Sequence, residues 1–164
     1  MWFLYWNVRQ RKPQIILEFG SGISTVCLAQ ALLENGSGRL YSVDDEERWA
    51  TSTASSIPAR LRALCDVRYS PVNEVPFPGA QCGVKFVDLP KVIPNFAYLD
   101  GPSANGPGRP AIDLLDMEDC FPTGFFLVID GRDENTEVLR THFKRRYRFR
   151  RRRIAKQPTF ELVE

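Results

Sequence analysis

The sequence predicts an α/β fold: a three-layer sandwich in which helices cover both faces of a mostly parallel sheet, with an antiparallel strand at its C-terminal end. Three observations predict it. Short apolar runs alternate with segments of helical period, the pattern of crossover units. Most of those runs end in an acid, a glycine or both, which is where open sheets of this kind bind ligands. The last two strand-like runs lie only about four residues apart, too close for a crossover helix, so they should pair antiparallel.

Residues 1–13 read as an N-terminal helical extension whose first six residues are apolar, with Asn7, Arg9 and Arg11 following. That run is far short of the ~20 residues of a membrane span, and it lacks the basic start of a secretory leader. It is expected to pack its aromatics on the domain or on a partner. Residues 15–19 form a buried strand. A helix over 24–35 follows from the apolar stripe of Val26, Leu28, Ala29, Ala31, Leu32 and Leu33, stopped by Asn35-Gly36. A second strand covers 39–43. A helix runs over about 46–64, broken or kinked by Pro58. A short third strand, 67–70, stops at Pro71.

Five prolines make 71–95 the least regular segment, with one strand at 84–87. A strand at 96–99 leads into the loop 101–110, a candidate lid, and a helix over about 110–119. Residues 125–129 form a buried strand, 134–146 a helix, and 147–154 and 159–163 the final strands. The 164 residues suit one domain, with 14–164 as its core.

Net charge is +2, unevenly spread. Eight of the 22 basic residues lie within 144–153, which leaves 14 against 20 acidic residues elsewhere, a balance of −6. Tyr147 and Phe149 alternate with Arg146, Arg148 and Arg150, so this strand has an apolar and a basic face. The charge protects an edge strand from pairing and favours an anionic small molecule over nucleic acid, which wants exposed aromatic platforms. The edge strand and the N-terminal aromatics are the candidate contacts of a homo-oligomer. Four cysteines show no C-x-x-C pair; Cys27 and Cys120 sit in apolar surroundings and read as buried, reduced thiols of a cytoplasmic protein.

The chemistry gathers at strand ends. Glu18-Phe19-Gly20-Ser21-Gly22 closes the first strand and opens a helix at Ser24-Thr25, a turn suited to backbone lying close to a ligand. Asp44, with Asp45 beside it, closes the second strand, 24 residues after Gly20, where dinucleotide folds place the acid that binds ribose hydroxyls. Asp100 and Asp130 close two more strands. Arg109 and Arg132 sit beside these acids in sequence and could clamp a carboxylate or phosphate, or simply pair with a neighbouring Asp. His142 reads as a surface residue of a charged helix.

The run Leu17-Glu-Phe-Gly-Ser-Gly-Ile-Ser-Thr25, followed by Tyr41-Ser-Val-Asp-Asp-Glu-Glu-Arg-Trp49, resembles class I S-adenosylmethionine-dependent methyltransferases, a Rossmann-like family. The resemblance spans roughly residues 15–164. It implies S-adenosylmethionine as cofactor, with Glu18, Gly20, Ser21 and Gly22 at its methionine part, Ser24 and Thr25 lining the helix start, and Asp44 at the ribose. It places Asp100 near the methyl group and Asp130 after the fifth strand, and these two acids, with Arg109 added as the clamp read from its place in the sequence, are the catalytic candidates. The implied reaction is methyl transfer to a small hydroxylated or acidic acceptor.

Two departures stand out. Ser24 replaces the third glycine common in the family, and Thr25 stands where the G-x-G-x-x-G fingerprint needs glycine, which disfavours an NAD-dependent oxidoreductase. Some O-methyltransferases of this type hold a divalent metal with acids at these two strand ends. Here Gly131 follows Asp130 where the usual third ligand would stand, so no metal is expected. A catalytically silent domain that binds a nucleotide-like ligand or a protein partner is the second reading. Acceptor recognition would fall to the N-terminal helix, 71–95, 101–110 or a partner subunit.

Overall fold

In a computed structural model, residues 1–102, 108–151 and 157–164 are described. Seven strands form the main sheet: β1 (Ile15–Phe19), β2 (Arg39–Asp44), β3 (Cys65–Tyr69), β6 (Phe96–Leu99), β7 (Phe126–Ile129), β8 (Tyr147–Arg151) and β9 (Pro158–Leu162). Their order is β3-β2-β1-β6-β7-β9-β8. The first five run parallel, β9 runs antiparallel to β7, and β8 antiparallel to β9. The parallel strands β1, β6 and β7 are apolar at almost every position because both faces are covered.

Two apolar cores result. Leu17 and Phe19 of β1 join Leu99, Leu127, Ile129 and Phe160 on one face. Ile16 joins Phe96, Tyr98, Val128 and the helix residues Leu28, Ala31 and Leu32 on the other. That second core also takes Leu4 and Val8 of α1 (Trp2–Arg11), both fully buried. Full burial of such side chains contributes roughly 1.5–3 kcal/mol each. The N-terminal helix is thus part of the packed structure. Arg11 strengthens the attachment, with its guanidinium 3.6 Å from the Phe126 ring centroid and 3.0 Å from Glu161. Trp2 and Trp6 stack on each other and stay exposed. No helix among the described residues is long and apolar enough to cross a membrane.

The helix expected over 46–64 is broken at Pro58, as its sequence predicts, into α3 (Glu47–Ser56) and a 3-10 turn (Ala59–Leu64). Other sequence expectations need correction. The irregular stretch after β3 contains an antiparallel pair, β4 (Val72–Val75) and β5 (Gly83–Phe86), rather than one strand. The helix expected over 110–119 is one short turn, α4 (Asp113–Met117), continued as a 3-10 turn (Glu118–Cys120). Cys120 is exposed there and Cys27 is half-buried, whereas Cys82 is buried.

The helix expected to reach residue 146 ends at His142, as α5 (Asp133–His142). Buried Glu118 stops it by accepting the backbone N–H groups of Lys144 and Arg145, each at 2.9 Å. The alternation in β8 holds: Tyr147 and Phe149 are half-buried against the core while Arg148 and Arg150 are exposed. The strand expected over 147–154 is described to Arg151, and residues 103–107 of the expected lid also lie outside the described residues.

Candidate active site

The carboxyl ends of β1, β2, β6 and β7 meet at one rim. Gly20, at the end of β1, adopts φ +90°, a conformation that L side chains rarely take. It also lies against the next turn: a Cβ at Gly20 would stand 2.9 Å from the Gly101 nitrogen, and one at Gly101 would stand 2.6 Å from the Gly20 nitrogen. The β1 and β6 turns therefore cross backbone to backbone. Gly22 differs. It is extended, and a Cβ there would meet nothing within 4 Å. Its missing side chain leaves open space at the start of α2 (Ile23–Asn35).

Beneath the turn lies a buried polar network. Glu18 is fully buried, and its Oε2 accepts the Thr25 hydroxyl at 2.6 Å and the Ser42 hydroxyl at 2.7 Å. Thr25 Oγ1 in turn accepts the Gly22 N–H at 2.9 Å, which fixes the helix start. Burial pushes the Glu18 carboxyl up to about 7, against the lowering effect of hydroxyls from Ser24, Thr25 and Ser42. Its Oε1 has no hydrogen-bond partner among the described residues. Ser24 is buried alongside.

Asp44 is nearly buried and organises the second strand end. Its Oδ2 accepts the Ser21 N–H and hydroxyl, both at 2.7 Å, and its Oδ1 accepts the Glu46 N–H at 2.9 Å. An open cavity of about 200 Å³ lies above; Gly20, Ser21, Asp44, Asp45 and Asp100 all line it. Two further lining residues, Trp49 and Gly101, escaped the sequence reading. Trp49 follows Asp44 by just over one helical turn, so an exposed aromatic at the start of α3 was the available signal. Ser42 gave a fainter one, a hydroxyl inside an apolar strand, register-paired with Glu18.

The other side of the rim is built from β6 and β7, with Leu99 opposite Ile129 and an acid following each. Asp100 accepts the Tyr98 hydroxyl at 3.0 Å. Arg132 lies between the two acids, with Nε 2.9 Å from Asp130 Oδ2 and a terminal nitrogen 3.8 Å from Asp100 Oδ1. Burial, then the neighbouring Asp130, pushes the Asp100 carboxyl up to about 6, while Tyr98 and Arg132 pull the other way. The Tyr98 hydroxyl is itself pushed up, by burial first and then by Asp100.

Arg109 is placed elsewhere. Its guanidinium pairs with Glu74 of β4, and the Gly108 carbonyl just before it accepts the Gln81 N–H beside β5, so none of its described contacts is with Asp100 or Asp130. The β4–β5 pair supplied a closer carboxylate than the rim did. His142 is half-buried, its ring 4.8 Å from that of Phe77, rather than a plain surface residue.

A parallel Rossmann-like sheet, an antiparallel C-terminal hairpin and a glycine-rich turn under a rim of acids define the architecture of the class I methyltransferases. The family described as "Methyltransferase domain" matches residues 17–156, and the chain belongs to that family. No curated protein sequence gives a significant match. Among solved structures, the chain resembles the O-methyltransferase TomG of Streptomyces achromogenes, involved in tomaymycin synthesis and solved with S-adenosylmethionine. Identity is 18%, coverage 98% of this chain and 78% of that one, and the TM-score 0.61. An O-methyltransferase from Bacillus cereus, solved with S-adenosylhomocysteine, is 16% identical over 99% of this chain and 79% of that one, with TM-score 0.60. A methyltransferase from Geobacter sulfurreducens is 15% identical over 98% and 76%, with TM-score 0.61.

Proposed function

We propose that this chain is an S-adenosylmethionine-dependent methyltransferase that methylates an oxygen of a small hydroxylated or acidic acceptor. The observation that carries the reading is the cradle at the β1 turn: open space beside Gly22, set over a buried carboxylate with one unpartnered oxygen. A group with a cationic amine and a vicinal diol fits that donor and acceptor set. When bound, S-adenosylmethionine supplies an electrophilic methyl group on a sulfonium.

The chain's own residues do the rest. Gly20, Ser21 and the open face at Gly22 receive the amino-acid end, and buried Glu18 beneath them supplies negative charge and holds the helix start through Thr25. Asp44 Oδ1, which accepts one bond, retains accepting capacity toward a ribose hydroxyl, and Trp49 offers an apolar face beside it. Asp100 orients the acceptor hydroxyl and takes its proton as the oxygen is methylated, from a pKa near the working range. Most of the rate comes from alignment of the acceptor with the methyl carbon, since positioning is the larger part of such a displacement.

Titration calorimetry with S-adenosylmethionine tests this. Saturable binding is expected, and Asp44→Ala should weaken it about 10- to 100-fold, the worth of roughly 1.5–3 kcal/mol of hydrogen bonds to a charged group. No binding at millimolar cofactor would end the proposal. Unchanged binding by a folded Asp44→Ala would end the ribose assignment alone.

A further inference from the structure

We propose that the Arg132 guanidinium is the fixed cation of the acceptor end of the rim, standing where a divalent ion would otherwise bridge Asp100 and Asp130. The proposal rests on the methyltransferase reading only for what the rim does, not for the contacts. The two acids follow adjacent parallel strands, which puts like charges on neighbouring strand ends, and such a pair calls for a cation. A carboxylate or amide directly after Asp130 would add a third oxygen ligand for a metal ion, and the residue there has no side chain. Gly131 occupies that position at φ +115°, where any side chain would be strained.

That glycine turn has a second effect: it folds Arg132 back over its own neighbour. The Arg132 N–H donates to Asp130 Oδ1 at 3.1 Å and Nε donates to Asp130 Oδ2 at 2.9 Å. One terminal nitrogen donates to the Pro102 carbonyl at 2.9 Å, and the other lies 3.8 Å from Asp100 Oδ1. The guanidinium is held at both strand ends and at the turn beyond β6. A metal ion approaching the two acids would have to displace this charge or sit against it.

Arg132 is thus a positioning residue with a chemical consequence. Two of its five N–H groups are engaged with described residues at hydrogen-bonding distance, and the others are available to an acceptor oxygen. It would steady negative charge on that oxygen, the task a metal ion performs as a Lewis acid in metal-using enzymes.

Manganese binding to the full chain, followed by electron paramagnetic resonance, tests the proposal without needing the acceptor. The wild-type protein is expected to show no saturable Mn²⁺ site that depends on Asp130. Arg132→Ala should gain one, with roughly tenfold or more tighter Mn²⁺ binding, and Asp130→Asn added to it should abolish the gain. Arg132→Lys keeps a cation and should stay metal-free, which also serves if the alanine variant folds poorly. Saturable wild-type binding lost in Asp130→Asn would overturn the proposal, as would a folded Arg132→Ala that gains nothing. Calorimetry with S-adenosylmethionine on the same samples reads the cofactor site separately, so failure there leaves the manganese result standing.

Discussion

A methyl group added at residue 20 has nowhere to go. It would combine φ +90° with an approach of 2.9 Å to the Gly101 nitrogen, so Gly20→Ala should cost about 1–3 kcal/mol in urea unfolding. Gly22→Ala, facing open space, should stay within about 0.5 kcal/mol of wild type, yet weaken S-adenosylmethionine in calorimetry because the new methyl enters the cradle. Both glycines stand out in the sequence for one shared reason, and the structure separates that reason into two. The partner that constrains Gly20 lies at Gly101, in the turn after another strand, and no local spacing reveals it. The same holds for Arg109 and Arg132. Each sits near an acid in sequence, but only Arg132 is turned back onto one, by Gly131.

At the scale of elements, the parallel strands and the end of α2 at Asn35 were legible, and the ends of the later helices were not. A buried parallel strand must be apolar throughout, so β1, β6 and β7 announce themselves. Lys144 to Arg146 carry helix-favouring side chains, and tertiary contact overrides that preference: Glu118, far away in sequence, takes the Lys144 and Arg145 N–H groups and turns the chain into β8. Glu118→Ala would orphan those donors at a buried position. We expect a loss of about 1–3 kcal/mol in stability, with hydrogen exchange showing the β8 amides among the first to lose protection. The β4–β5 pair was hidden for the opposite reason. Its prolines and short strands carry no clear period, and its existence depends on docking against the segment after residue 108.

Across the whole molecule, buried acids set the pH response. Glu18 and Asp113 are both raised to about 7, chiefly by burial. A folded-state value above the unfolded one gives stability that is complete below the ordinary carboxyl range and declines as pH rises toward and through about 7. Thermal melts of the cofactor-free protein should therefore fall from mildly acidic to mildly alkaline pH. Glu18→Gln should flatten that slope, and an unchanged slope would remove Glu18 from the account. The uneven charge was readable from composition, but its partial neutralisation was not. Arg148 and Arg11 both meet Glu161, and Arg146 meets Glu164. Such exposed pairs contribute only about 0–1 kcal/mol each.

The crossing of Gly20 over Gly101 also limits how this domain can be recombined with its relatives. A chimaera that took β1 and its turn from one parent and β6 from another would inherit half of that contact from each. It would fold only if both parents kept glycine, or both had moved the two turns apart. The two positions would have to be exchanged together, although eighty residues of chain lie between them.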